Sequence, residues 1–134
     1  MVIGLSSGSI DKLLGAGVIM SGGAADDMEI EVYVLLTAAR AFMKGNEELE
    51  DSWVEYPQLK EQMKARMNEI KMPGWMESWS QVKDMAEVKV YICSLAGKLW
   101  GGEKLEDFNE LVDGFTGIYQ YVQAAQDADL HISL

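Results

Sequence analysis

Two runs of β-branched and aliphatic residues, at 30–36 and 88–92, strongly limit the folds that this chain can adopt. Each run has the near-continuous apolar pattern of a strand that is buried on both faces. Segments with helical apolar spacing lie between these runs and beside the shorter apolar runs near the chain's ends. Strands that alternate with helices form a parallel sheet with helices packed on its faces. The sequence therefore predicts an α/β fold.

The boundaries of the elements follow from apolar spacing and from turn-forming residues. The strands are predicted at 1–5, 30–36, 88–92, 111–113 and 129–134. The helices are predicted at 10–28, 38–44, 79–87, 94–100 and 116–126, with a further helix that begins at Pro57. The glycines of the first helix each disfavour it by about 1 kcal/mol relative to alanine, which indicates close packing against the sheet. We expect three layers, α/β/α, around a five-stranded, mainly parallel sheet.

Length and composition indicate one domain that spans the whole chain. A domain usually has roughly 100–200 residues, and this chain has 134, of which 49% are apolar and only two are proline. The segment 46–87 departs from the simple alternation and holds three of the four tryptophans. We interpret it as a helical insertion that forms a lid or a contact surface. Met63 and Met67 are expected to face the core, whereas Trp75 and Trp79 are expected to be exposed.

The charge balance excludes several classes of partner. The chain has 22 acidic and 11 basic residues, a net charge of −11, and its basic residues are scattered singly. Nucleic-acid binding needs clustered Lys and Arg, so no nucleic-acid partner is expected. No stretch offers the ~20 apolar residues of a membrane span, and no export signal is recognisable. One cysteine cannot form an internal disulfide or a Cys-only metal site, and a cytoplasmic protein is predicted.

Cys93 is the sharpest candidate for chemistry. It follows a predicted strand and precedes a predicted helix, which places it at the carboxyl edge of the sheet, where open α/β sheets bind ligands. Amide hydrogens at a helix N-terminus favour a reactive thiolate, and Lys98, one turn further along, would add positive charge. The alternative is that Cys93 is a small buried hydrophobic residue. Its position alone leaves both interpretations open.

The turn Ser7-Gly8-Ser9 follows the first predicted strand and lies at the same edge. Its hydroxyls and amides are suited to hold an anionic group, although capping of the following helix by Ser9 is the more common role for such a turn. The dinucleotide-binding fingerprint fails here because Met20 occupies the third glycine position, and no cofactor is predicted. His131 is the only histidine; we expect a structural role for it and predict no metal site.

The order of four segments resembles the DsrE/DsrF-like family of small sulfur-relay proteins. They are the serine-glycine turn with its aspartate and lysine at 7–12, the strand at 32–36, the segment 72–94 that leads to the cysteine, and the C-terminal segment 111–130. The likeness therefore spans almost the whole chain.

This resemblance implies a flavodoxin-like sheet, a homo-oligomer that is often a trimer or larger, and a cysteine that carries sulfane sulfur as a persulfide or thiosulfonate. Cys93 takes the position of that cysteine. Ser94 and Lys98 would stabilise the anionic adduct, and the turn Ser7-Gly8-Ser9 would form the neighbouring wall. Relatives commonly exchange sulfur with a small TusA-like carrier. Some have a second cysteine in the stretch that here reads Trp100-Gly101-Gly102, so a single carrier thiol is implied.

Two main hypotheses for function follow. In the first, the protein is a sulfur carrier or sulfurtransferase-like protein whose Cys93 thiolate takes sulfane sulfur from a donor and passes it to an acceptor thiol. In the second, it is a non-catalytic interaction or scaffold subunit of a sulfur-metabolism complex. That subunit would bind a partner through Trp75 and Trp79 while Cys93 only packs. A third interpretation, a binder of a small nucleotide-like anion at the strand edge, rests on fold analogy alone.

Overall fold

The computed structural model describes residues 1–134 and contains five strands and six α-helices. The strands are β1 (Val2–Leu5), β2 (Ile30–Val34), β3 (Val88–Cys93), β4 (Gly114–Thr116) and β5 (His131–Ser133). The helices are α1 (Ile10–Ala25), α2 (Ala38–Phe42), α3 (Lys60–Glu69), α4 (Trp75–Met85), α5 (Ser94–Leu99) and α6 (Ile118–Asp127). Short 3-10 turns lie at Glu50–Ser52, Pro57–Leu59 and Leu105–Asp107.

The five strands form one sheet in the order β4-β3-β2-β1-β5, and every neighbouring pair is parallel. Val32 on β2 pairs with Ile3 on one side and with Val90 on the other. The predicted α/β fold with a parallel sheet is confirmed. The strand order differs from the flavodoxin order, 2-1-3-4-5, because after β4 the chain returns to the far side of β1. All five strands end at one edge of the sheet, which gathers the turns that follow them.

Helices cover the two faces of the sheet unequally. Ile3 and Leu5 of β1 point to the face where α1 and α4 pack, and they belong to the main apolar core. Gly4 points to the opposite face, where a Cβ atom would collide with Tyr121 of α6. Because α6 has no buried residue, this second face is only thinly covered. Along β3, alternation places Tyr91 and Cys93 on that thinly covered face.

The predicted exposure of Trp75 and Trp79 is wrong: their relative exposures are 2% and 0%. Both lie on one side of α4, four residues apart, and their rings pack edge-on against Phe42 at centroid distances of 5.2 and 5.3 Å. Each indole N–H donates to a backbone carbonyl, Trp75 to Glu47 at 2.7 Å and Trp79 to Leu13 at 2.8 Å. Burial is therefore achieved without leaving an indole donor unpaired.

Two element boundaries also differ from the predictions. The helix expected at 79–87 begins at Trp75, because Gly74 has extended backbone angles and serves as its N-cap. The strand expected at 111–113 lies at Gly114–Thr116 instead. Leu111 and Val112 are buried, but the Leu111 amide donates to the Asn109 side chain at 3.1 Å rather than to a strand. A buried turn thus has the same apolar pattern as a short strand.

The inserted segment, 46–87, packs beside α1, mainly through α4. Met63 and Met67 of α3 are half-buried and contact the core, as the apolar stripe predicts, although α3 has no fully buried residue. Lys60 and Lys64 pair with Glu50, which ties α3 to the 3-10 turn that precedes it. No helix in the structure has the length and apolar character needed to cross a membrane.

Candidate functional site at the carboxyl edge of the sheet

Cys93 is the last residue of β3 and the N-cap of α5, so it lies at the carboxyl edge of the sheet, as the strand-helix order predicts. It is half-buried. Its partner in the sheet is Thr116 at the end of β4. Cys93 is therefore neither fully buried nor fully exposed, and it packs against the apolar core.

Polar groups at the starts of α5 and α6 are hydrogen-bonded to each other close to Cys93. The Ser94 hydroxyl donates to the Thr116 carbonyl at 3.3 Å, which ties the two strand ends together. Gln120 accepts the Thr116 hydroxyl at 2.5 Å and the Gly117 amide at 3.0 Å. These bonds fix the backbone on one side of the cysteine. Lys98 is exposed on α5 and joins none of the ion pairs of the structure.

A row of aromatic rings crosses the thinly covered face of the sheet beside Cys93. Tyr33 lies between Tyr91 and Tyr121, at centroid distances of 5.6 and 5.3 Å. Burial, followed by the hydrogen bond that Tyr33 donates to Glu31 at 2.8 Å, raises the pKa of Tyr33. At the end of the row, Tyr121 and His131 are hydrogen-bonded at 2.8 Å. The row ends at Tyr91, two residues before Cys93 on the same face of β3.

The turn Ser7-Gly8-Ser9 lies at the same edge but lines a different space. It forms one wall of a cavity of about 250 Å³. The remaining lining residues come from segments far apart in the sequence: Thr37, Arg40, Leu49, Ser52 and Trp100. Cys93, Ser94 and Lys98 do not line it. The predicted site thus divides in two, because β1 and β3 are separated by β2.

Ser9 occupies the N-cap position of α1 but makes no capping hydrogen bond with its side chain. Its hydroxyl lies 3.2 Å from the Ser7 hydroxyl instead. Sequence reasoning also missed Arg40 and Trp100. One signal was available for Arg40, because it follows the second predicted strand closely enough to reach the carboxyl edge. The indole N–H of Trp100 donates to the Leu36 carbonyl at 2.9 Å, a contact between residues 64 apart in the sequence.

Comparison with known proteins supports the fold and leaves the function open. No family model and no curated protein matches the chain. A solved structure with the same architecture is MTH1491, a protein of unknown function from Methanobacterium thermoautotrophicum. The two share 13% sequence identity with a TM-score of 0.59, over 99% of this chain and 96% of the other. Similarity at this level shows a common fold alone, so function has to be argued from the site.

Proposed function

We propose that this protein is a sulfur carrier, or a sulfurtransferase-like protein, that holds sulfane sulfur on Cys93. The Cys93 thiolate attacks the outer sulfur of a donor persulfide, the donor's S–S bond breaks, and the donor leaves as a thiolate. The new persulfide on Cys93 is then attacked at its outer sulfur by an acceptor thiolate, which regenerates the Cys93 thiolate. Both steps are thiol exchanges without net oxidation. A small TusA-like carrier is the kind of partner we infer from the resemblance to DsrE/DsrF-like proteins.

The observation that carries this proposal is the half-buried position of Cys93 at the carboxyl edge. A fully buried thiol would not reach a partner's sulfur, and a fully exposed one would leave a persulfide open to unwanted thiols. Ser94 and the exposed Lys98 lie on α5 directly after the cysteine, where a hydroxyl and an ammonium favour an anionic adduct. The chain has no second cysteine, so only one sulfur atom at a time is relayed.

Intact-mass measurement tests the sulfur-carrier proposal. After incubation with polysulfide, we expect the wild type to gain the mass of sulfur and to lose it again on treatment with dithiothreitol. Tetrathionate is expected to give a thiosulfonate adduct at the same residue. Because Cys93 is the only cysteine, Cys93→Ser should give neither product while folding normally. An unmodified wild type, or adducts that persist in Cys93→Ser, would contradict the proposal.

The scaffold hypothesis loses the surface that motivated it, since Trp75 and Trp79 are buried. Alkylation of the folded protein separates the two functions. A carrier thiol must react with a small alkylating agent at a rate comparable to that of a free cysteine. A thiol that reacts only after unfolding would favour a scaffold role.

We infer that the protein forms a homo-oligomer, a trimer or larger, through a surface that we call the carboxylate-free surface. It consists of residues 118–126 of α6, which lies on the thinly covered face of the sheet. Its exposed apolar residues are Ile118, Tyr119 and Val122. None of its residues is acidic, although the chain has 22 acidic residues. Each copy has a net charge of −11. The electrostatic repulsion between copies is therefore smallest when their carboxylate-free surfaces face each other.

Light scattering coupled to gel filtration tests this assembly. We expect the wild type to have a multiple of the 14.9 kDa chain mass, and Ile118→Glu or Val122→Glu to shift it towards the monomer. Val18 is a matched control, because it is 61% exposed on α1, away from the carboxylate-free surface. Val18→Glu should leave the mass unchanged. A monomeric wild type, or a wild-type mass in both surface variants, would contradict the inferred assembly.

A further inference from the structure

The cavity of about 250 Å³ beside the turn Ser7-Gly8-Ser9 does not include Cys93 in its lining. Its lining includes four residues with hydroxyl groups, the guanidinium-bearing Arg40 and Trp100; the hydroxyl residues are Ser7, Ser9, Thr37 and Ser52. Arg40 is its only charged lining residue. A compact cavity with several hydrogen-bond donors and a single positive charge is suited to a small anion.

Arg40 is already arranged to bind an oxyanion with two hydrogen bonds. Its Nη1 and Nη2 atoms lie 3.3 and 3.0 Å from Oδ1 and Oδ2 of Asp51. The guanidinium also lies over the ring of Trp100, with Cζ 5.8 Å from the ring centroid, which holds the guanidinium plane in place. Arg40 keeps the pKa of Asp51 below its ordinary value. The carboxylate of Asp51 thus shows that the guanidinium can hold two anionic oxygens at this edge.

The turn Ser7-Gly8-Ser9, which also lines the cavity, has backbone donors without an acceptor within the protein. The backbone amides of Ser7 and Gly8 donate no hydrogen bond, although Gly8 is buried. Buried backbone donors are almost always paired with protein, water or ligand. A Cβ atom at Gly8 would lie 2.9 Å from the Thr37 carbonyl oxygen. Glycine therefore lets the two walls of the cavity approach each other.

We propose that this cavity binds a tetrahedral oxyanion, which displaces the Asp51 carboxylate from Arg40. The oxyanion is either free or the phosphate, sulfate or sulfonate group of a small organic molecule. Asp51 lies in a 3-10 turn of the inserted segment and is exposed, so its carboxylate can move away without disturbing the core. Cys93 does not line this cavity, so the proposal does not rest on sulfur transfer.

Calorimetric titration of the full chain at low ionic strength tests the site, with inorganic phosphate, thiosulfate and phenyl phosphate as probes. We expect saturable binding to the wild type. Arg40→Gln should weaken it by about tenfold or more, as loss of a charge-assisted pair implies. Arg40→Lys keeps the charge but not the two-pronged geometry, and should also weaken binding. Asp51→Asn should strengthen binding several-fold, because the competing carboxylate is removed.

Arg66 and Glu69 provide matched controls, because they form an exposed ion pair on α3 at 2.5 Å. Arg66→Gln and Glu69→Gln make the same charge changes and should leave the affinity unchanged. Tighter binding of phenyl phosphate than of phosphate supports an organic ligand, and equal affinity supports a free anion. The site is disproved by non-saturable binding to the wild type, by undiminished binding in both Arg40 variants, or by an Asp51→Asn affinity equal to that of the wild type.

Discussion

Replacing Trp79 by alanine is expected to lower the free energy of unfolding by about 3–5 kcal/mol. Trp79 has 0% relative exposure and packs edge-on against Trp75 and Phe42, at centroid distances of 5.7 and 5.3 Å. Its truncation also leaves the buried Leu13 carbonyl without the indole donor that now lies at 2.8 Å. Both losses occur where α4 packs on α1. The result would show that the inserted segment belongs to the core.

Urea unfolding followed by circular dichroism measures this effect, and Trp100→Ala is its control. Trp100 is only half-buried, and its indole makes the same kind of hydrogen bond, to the Leu36 carbonyl at 2.9 Å. We expect Trp100→Ala to lose only about 1 kcal/mol, close to the value of one hydrogen bond. If the inserted segment were a lid that opens in solution, Trp79→Ala would lower the free energy of unfolding no more than Trp100→Ala does. That outcome would refute the assignment of the segment to the core.

The sequence predicts the central strands well because their apolar residues are continuous. Ile30–Val34 and Val88–Cys93 are buried on the core face, and no other regular element suits a short β-branched run of this kind. The edge strand Gly114–Thr116 was predicted at 111–113, because its position depends on which residues pair with β3 and the apolar pattern does not show that. Its three residues include glycine and threonine and carry little apolar pattern, whereas the buried turn before it carries more. The exposure of Trp79 was wrongly predicted for a similar reason: one face of a helix is buried only where another residue, here Phe42, packs against it.

The position of Cys93 follows from the order of strand and helix, because parallel strands bring all their carboxyl ends to one edge. The separation of Cys93 from the turn Ser7-Gly8-Ser9 depends on which strand lies between them, and sequence pattern does not give strand order. The cavity beside that turn could not be predicted from the sequence either. Arg40 meets Asp51 and Trp100 only after three distant segments have folded together.

Gly97→Ala is expected to destabilise the protein by about 1–3 kcal/mol, as overpacking usually does. A Cβ atom at Gly97 would lie 2.7 Å from the Gly102 carbonyl oxygen, which is backbone and cannot rotate away. The Gly102 amide donates to the Gly97 carbonyl at 2.8 Å, so the turn after α5 is held closed at this point. The added methyl group must therefore displace α5, whose first residue follows Cys93. We expect faster alkylation of Cys93 as a second consequence.

Gly15→Ala is the matched control, with an effect of opposite sign. Gly15 lies inside α1, and a Cβ atom there meets nothing within 4 Å. Alanine should therefore stabilise the protein by about 0.5–1 kcal/mol through helix propensity, with the alkylation rate of Cys93 unchanged. Thermal unfolding and a timed reaction with iodoacetamide measure both effects. If Gly97→Ala matched the wild type in stability and in alkylation, the close approach between α5 and Gly102 would not control access to the cysteine. If the alkylation rate changes in Gly97→Ala and not in Gly15→Ala, the exposure of Cys93 depends on the turn that follows α5.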